Sequence, residues 1–357
     1  MTGHRQIITG PLVYLEDGPQ RLAVVIHEGK IEAIIDPSQM GQYADLQIIE
    51  LPNSYHLIPG MIDMHIHGML GVDVMDATPQ ALQTMVENLP KEGVTGFLAT
   101  TMTMATQDIE KAIANVATFS QKINQPGAQI LGLHLEGPFI SPEKLGAHRR
   151  EFVLEPGIDL FNQWQVLAND LIKLVTIAPE VSGAMAFIEY LTKQGVIASI
   201  GHSNASYTQT QQAIENGCCH VTHIFNAMSG LHHREPGVAL AALMSSALIE
   251  LIADGIHVCP AMMKFILSVK TLDQLCLVTD AMRAKCMPDG EYDLGGQTVT
   301  VANDSARLSG GTLAGSILTM QKALKNLVTL NLCSLSDITH FTAINPAKQL
   351  GIFGHKG

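Results

Sequence analysis

Two histidines, His65 and His67, stand one residue apart where an apolar run ends in PGMIDMHIHG (59–68). Side chains alternate across a strand, so the two imidazoles share a face. Further along come Glu136 in HLEGP, His202 in SIGHS, His223 in VTHIFNAM, His257 in ADGIH and Asp280 in VTDAM. Imidazoles together with a carboxylate make a nitrogen–oxygen donor set suited to zinc, iron or manganese. Glu136, with two oxygens, is able to bridge two cations. Asp280 only accepts when ionised, so it can take a proton from water and return it to a leaving amine. Each residue also has a plainer explanation. Strand ends tolerate histidine, a glutamate before Gly-Pro caps a turn, and an aspartate N-caps a helix. His134, two residues before Glu136, reads either as core or as support behind the ligands. Where these residues fall in the fold separates the two explanations.

Eight apolar β-runs follow one another at 56–66, 94–101, 130–137, 172–178, 196–202, 220–226, 248–255 and 275–280. Helix-period segments lie between most of them, at 79–90, 106–121, 183–194, 206–216 and 260–269. Near-continuous apolar strands alternating with helices imply a parallel sheet covered on both faces. Eight such units make an α/β fold, a (β/α)8 TIM-like barrel expected over residues 56–288. Every candidate residue lies at the C-terminal end of its run, on the rim where barrels carry active sites. Histidines scattered through core and surface would not choose one rim. Together they point to a metal-dependent site.

Outside the barrel the text is different. Residues 1–55 are short β-runs broken by Gly, Pro and Asp, the N-terminal part of a small β-domain. GEYDLGGQTVTVANDSARL reads as a pair of hairpins about a Gly-Gly turn, and residues 289–310 are expected to return to that domain as a β-sandwich built from both chain ends. Residues 311–357 follow as C-terminal helices on the barrel, at about 315–330 and 336–350.

Composition excludes several classes. The net charge of −12 argues against a nucleic-acid partner, whose footprint is basic, but leaves room for a local basic pocket. No run of eighteen apolar residues appears, so no membrane partner is expected. The start, MTGHRQIITG, lacks the basic and apolar regions of a signal peptide. Six scattered cysteines without C-x-x-C spacing read as reduced thiols of a cytoplasmic protein.

PGMIDMHIHG, HLEGPF, GHSNA, VTHIFNAMS, HHREPG, ADGIH, VTDAM and GTLAGS, in this order, resemble the amidohydrolase superfamily and, within it, the N-acetylglucosamine-6-phosphate deacetylase family. The similarity runs over essentially the whole chain. H-x-H alone marks the superfamily, whereas THxxNAM, HHREPG and GTLAGS are specific to the deacetylases. The resemblance implies hydrolysis of N-acetyl-D-glucosamine 6-phosphate to D-glucosamine 6-phosphate and acetate, in amino-sugar catabolism and cell-wall sugar recycling. It implies Glu136, His202 and His223 as metal ligands, with His65 and His67 as the pair that holds a second metal in some members. The cofactor it implies is one or two divalent metals per subunit, zinc or iron first, with manganese and cobalt as alternatives. Asp280 matches the acid/base. Ala147, His148, Asn226, Ala227, Arg234, His257 and the Leu313-Ala314-Gly315 turn match substrate-contacting positions. A guanidinium binds phosphate as a bidentate fork, which suits Arg234 to the phosphate. Family members are commonly homodimers that lend residues across the interface, so Arg234 is expected to act on the neighbouring subunit's site.

Two departures from the family stand out. Many superfamily members bridge two metals with a carboxylated lysine at strand four, but the run here ends Thr176-Ile177-Ala178-Pro179-Glu180, which leaves any bridge to Glu136. The family usually continues past a segment like Gly354–Gly357 into closing strands of the small domain. A truncated chain is therefore expected, at a cost in stability but with every site residue retained. Three other functions compete: another amide hydrolase of the superfamily, which would lack the phosphate clamp; a deaminase, which would release ammonia; and a non-catalytic barrel scaffold.

Overall fold

The apolar runs pair side by side in chain order as an eight-stranded parallel sheet. Its strands are β1 (Met61–Ile66), β2 (Val94–Thr101), β3 (Gln129–Glu136), β4 (Ile172–Ile177), β5 (Ile197–Ile200), β6 (His220–Val221), β7 (Leu248–Leu251) and β8 (Leu275–Leu277). This is a computed structural model, and it describes residues 5–121 and 126–356; Gly357 and residues 1–4, at the ends of two expected segments, lie outside them. The sheet curls until its edges meet. Asp280 N–H donates to the His65 carbonyl at 2.9 Å, and His67 N–H to the Ala281 carbonyl at 2.9 Å. Below them Thr279 Oγ1 donates to buried Asp63 at 2.6 Å. The (β/α)8 barrel is therefore as expected, and its seam runs through two of the candidate site residues.

One helix follows each strand: α1 (Pro79–Asn88), α2 (Thr106–Ser120), α3 (Ile158–Leu167), α4 (Ala184–Lys193), α5 (Tyr207–Glu215), α6 (Val238–Met244), α7 (Pro260–Val269) and α8 (Met320–Thr329). Local sequence sets their starts. Thr78 caps α1 ahead of Pro79, Ser206 and Gln209 form a capping box on α5, and Thr319 caps α8. Their inward faces supply Leu82, Ile113, Trp164, Phe187 and Ile266 to one continuous core around the sheet.

Several elements are shorter than the periodicity suggests. The run at 56–66 is split by Pro59, which lacks an N–H for the ladder. His56–Leu57 pairs instead with Leu12–Leu15 of the N-terminal part. The run at 220–226 yields only two strand residues, because the backbone turns left-handed at His223, Phe225 and Ala227. The helix expected from 315 starts at Met320, since residues 315–316 continue the barrel seam. The last helical segment, Leu335–Gln349, contains a π-helical turn at His340–Ile344.

Residues before the barrel form a four-stranded and a three-stranded sheet, with Ile7, Ala23 and Val25 as a small core of their own. The strands Gly290–Leu294, Gln297–Ala302 and Ser305–Leu308 form an antiparallel sheet about the expected Gly295-Gly296 turn. Among the described residues these strands pair with one another, not with the N-terminal sheets. Leu294, Val299 and Val301 instead pack on Met102, Ala147 and Met282 beside the barrel mouth. No described helix is long and apolar enough to cross a membrane.

A buried histidine–carboxylate centre at the barrel mouth

Layers of branched apolar side chains usually fill a barrel of this kind. Here the layer under the mouth is polar. His134 shares a hydrogen bond with Thr176 at 2.7 Å, Thr176 with Thr222 at 2.8 Å, and Ser199 with Thr222 at 2.6 Å. Above this layer the strand ends deliver the ligand candidates. His65 and Glu136 are the last or next-to-last residues of β1 and β3, while His67, His202, His223 and Asp280 follow within three residues of their strands.

Three of these residues carry left-handed backbones: His202 (φ 47°), His223 (φ 30°) and Asp280 (φ 47°). Such angles are uncommon outside glycine and concentrate where function over-determines the backbone. They break the strand and swing the next segment outward, which leaves the side chain over the barrel axis. The turn at Asp280 is held from the GTLAGS segment. Ser316 N–H donates to the Asp280 carbonyl at 2.7 Å, and Gly315 (φ 60°) passes close enough that a Cβ would sit 3.2 Å from that oxygen. Glycine is required there.

Glu136 is the hub. Its Oε1 lies 2.9 Å from His223 Nε2, 3.1 Å from His202 Nε2 and 3.4 Å from His65 Nε2. Its Oε2 lies 3.1 Å from His67 Nε2 and 3.4 Å from His148 Nε2. Asp280 Oδ1 stands 3.4 Å from His65 Nε2 and 3.3 Å from His67 Nε2. All seven side chains are buried. Metal–nitrogen bonds of about 2.0–2.1 Å put neighbouring donors on a tetrahedral ion about 3.3 Å apart. The spacings here, from 2.9 to 3.4 Å, are of that size.

Charge makes the same case for a cation. Glu136, Asp280 and Glu250 are three buried carboxylates, and their ion-pair partners among the described residues are histidines alone. Burial pushes Glu136 up, yet the charge of His65 and hydrogen bonds from His148, His202 and His223 hold it well below the usual carboxylate range. Asp280 behaves alike: burial opposes ionisation, and His65 and His67 outweigh it. Burial pulls His67 down, but hydrogen bonds to Asp280 and Glu136 raise it to about 9. Protons on histidine thus balance the carboxylates in the metal-free chain, and a divalent cation would displace them. The donor set fits one: Glu136, His202 and His223 would hold a first ion, with His65 and His67 beside it for a second.

His148 is different. Burial and the neighbouring His202 push it down to about 4, so it is neutral. Its Nδ1 accepts from the Thr103 N–H at 3.2 Å, which leaves the proton on Nε2, facing the centre. It is a fixed neutral donor.

A cavity of 380 Å³ opens above the centre. Its walls include His67, Glu136, Ala147, His148, His202, His223, Asn226, Ala227, His257, Asp280, Leu313 and Gly315. His257 is oriented by Asp254, whose Oδ2 lies 2.6 Å from its Nδ1. Three expected residues are not on the wall. His65 lies behind His67 and is fully buried. Ala314 is buried against the three-stranded sheet, its N–H bound to the Ala306 carbonyl. Arg234 is exposed on the loop at 230–236 and bonds to His233, away from the cavity of its own chain. Lys144, Glu143 and Thr312 line the cavity without any pattern in the sequence that singles them out. Glu250, beneath His65, left a clearer trace as the one charge inside the apolar run LIELIA.

The sequence pattern of the amidohydrolase family matches residues 56–357. This chain belongs to the amidohydrolase family. Among its relatives in that family, an N-acetylglucosamine-6-phosphate deacetylase of Bacillus subtilis (strain 168) is 44% identical over 337 residues, 94% of this chain and 85% of the relative. An N-acetylgalactosamine-6-phosphate deacetylase of Escherichia coli O157:H7 is 39% identical over 302 residues, 84% of this chain and 80% of the relative. In structure, this amidohydrolase superposes on an N-acetylglucosamine-6-phosphate deacetylase from Pasteurella multocida with a TM-score of 0.92, at 32% identity, covering 99% of this chain and 92% of the other.

Proposed function

We propose that this amidohydrolase removes the acetyl group of N-acetylglucosamine 6-phosphate with the aid of a divalent metal, releasing acetate and glucosamine 6-phosphate. The observation that carries the reading is the Asp280 carboxylate beside the Glu136–histidine cluster at the cavity, with His148 Nε2 also turned toward Glu136. Relatives bearing that activity in their names cover nearly the whole chain.

Held by Glu136, His202 and His223, a divalent metal would polarise the amide carbonyl and make water a better nucleophile. Zinc or iron suits the two-imidazole, one-carboxylate set. Asp280 takes the proton of the attacking water, and the carboxylic acid so formed returns it to the sugar nitrogen, which leaves as an amine. His148 offers its Nε2–H as a hydrogen bond to the carbonyl oxygen as negative charge gathers there, and keeps its proton. Asn226, Ala227, His257, Leu313 and Gly315 line the space the sugar would occupy. The reaction is proposed for the cytoplasm, in keeping with six unpaired cysteines.

Recognition of the phosphate calls for a cation beyond Lys144 on the wall, and Arg234, exposed on its loop, does not line the cavity of its own chain. We infer a homodimer in which Arg234 reaches the neighbouring subunit's cavity. Mixing Arg234→Ala chains with Asp280→Asn chains tests this. Heterodimers would contain one site with both native residues, and activity is expected to recover to about a quarter of wild type. Activity that stays at the level of the separate variants would contradict an arginine acting across the interface.

The substrate itself is tested by comparing kcat/KM for N-acetylglucosamine 6-phosphate, its galacto epimer and unphosphorylated N-acetylglucosamine. Loss of the phosphate is expected to cost about 10²-fold or more, the worth of a charge-assisted bidentate contact. Equal rates with and without phosphate would favour a different amide hydrolase, and faster turnover of the galacto epimer would reassign the sugar.

A further inference from the structure

Glu250 sits in the middle of β7, fully buried, with its carboxylate inside the barrel beneath the centre. Its Oε2 lies 2.9 Å from His65 Nδ1 and accepts from the His223 backbone N–H at 3.0 Å. Its Oε1 lies 3.1 Å from His220 Nε2. Three donors from β1, β6 and the turn after β6 therefore converge on one side chain. An ionised carboxylate only accepts, so His65 carries a proton on Nδ1, and it is Nε2 that faces Glu136 and Asp280 and would offer its lone pair to a cation that displaces its own proton.

The other site histidines are supported differently. His202 gives its Nδ1 proton to the Lys144 carbonyl at 2.9 Å. Among the described residues, Nδ1 of His67 and of His223 has no partner at all. Among the ligand histidines, a carboxylate behind the ring is reserved for His65. The same oxygen that fixes His65 also holds the left-handed turn that aims His223. One atom thus touches a member of the His65/His67 pair and the residue that carries the opposite ligand.

We propose that Glu250 is a positioning residue that prepares the His65 side of the centre for metal and ties it to the His223 side. The proposal rests on reading the cluster as a metal centre. Carboxylates behind ligating histidines fix tautomer and ring orientation and raise ligand basicity, and their loss costs about 10–100-fold in metal affinity. Glutamine at 250 keeps the volume but offers one accepting oxygen to three donors. His65 is then free to take the other tautomer, with a proton on Nε2 and no lone pair for a cation.

The test is a thermodynamic cycle on zinc affinity, measured on the full-length metal-free protein by competition with a chromophoric chelator. Wild type, Glu250→Gln, His65→Asn and the double variant are compared, with circular dichroism to establish folding. Glu250→Gln is expected to weaken zinc binding by about 10–100-fold. His65→Asn is expected to do the same, and the double variant to lose less than the two single losses combined, because part of the effect of Glu250 passes through His65 and the rest through the His223 turn. Glu250→Asp keeps the charge but draws it back by one methylene, and its affinity is expected to fall between wild type and Glu250→Gln. Should Glu250→Gln fail to fold, Glu250→Asp takes its place in the cycle. Unchanged affinity in the Glu250 variants, additive losses in the double variant, or no loss in His65→Asn would overturn the positioning role. A wild-type protein that binds no zinc would contradict the metal-centre reading instead.

Discussion

Asp280→Asn keeps its metal and loses turnover: kcat for acetate release falls by about 10³–10⁴-fold while metal per chain matches wild type. The magnitude is that of a proton-transfer group removed from the transition state. Asparagine is a fair probe here for a structural reason. Asp280 has φ 47°, and asparagine tolerates that left-handed region better than most residues, so the turn between β8 and Ser316 survives. The Ser316 N–H and His65 carbonyl contacts at this position are made by the backbone and do not change. What changes is the charge. The carboxylate, kept ionised by His65 and His67 against its burial, becomes an amide that cannot accept a proton from water. The rate falls through kcat more than KM, because substrate is held elsewhere in the cavity. Near-wild-type turnover with metal in place would remove Asp280 from the chemistry.

Glu136→Gln has the opposite signature, losing metal first and activity as a consequence. Glu136 is the side chain that all four ligand histidines approach, three through Oε1 and His67 through Oε2. Its replacement removes a negative ligand and turns one donor-acceptor pair into an N–H facing a ring nitrogen. Metal per chain after purification is expected to fall to near zero, with acetate release at background. Adding zinc to the assay restores chelator-treated wild type but not this variant. Elemental analysis and the assay on the same samples decide it: a Glu136→Gln protein that retains metal and turns over substrate would dislodge Glu136 from the centre. Read together, the two variants separate holding the metal from moving the proton.

Much of this was legible in the sequence, for identifiable reasons. Runs such as VTGFLATT and ILGLHLEG are apolar on both faces, and only a covered parallel sheet accommodates that pattern, so the barrel followed from eight of them. His65, Glu136, His202, His223 and Asp280 were legible because one rim collects them all. Strand ends were less so. The left-handed turns at His202, His223 and Asp280 rest on non-glycine residues whose backbone angles no propensity announces, so β5, β6 and β8 were read too long. Glu250 escaped because a charge within LIELIA has meaning only once His65 and His220 are seen to reach it, from 185 and 30 residues away in the sequence. Lys144 and Thr312 reach the cavity on irregular loops, where no periodicity exists to read. The three-stranded sheet after β8 was read correctly as hairpins, but hairpin patterns do not say which neighbour they cover.

Acetate release from N-acetylglucosamine 6-phosphate, followed as metal is added stepwise to the metal-free protein, tests the central claim most directly. The account predicts no acetate without metal, a rise in step with the ions bound per chain, and glucosamine 6-phosphate as the only other product. Acetate formed at full rate without metal would contradict it, as would ammonia in place of acetate.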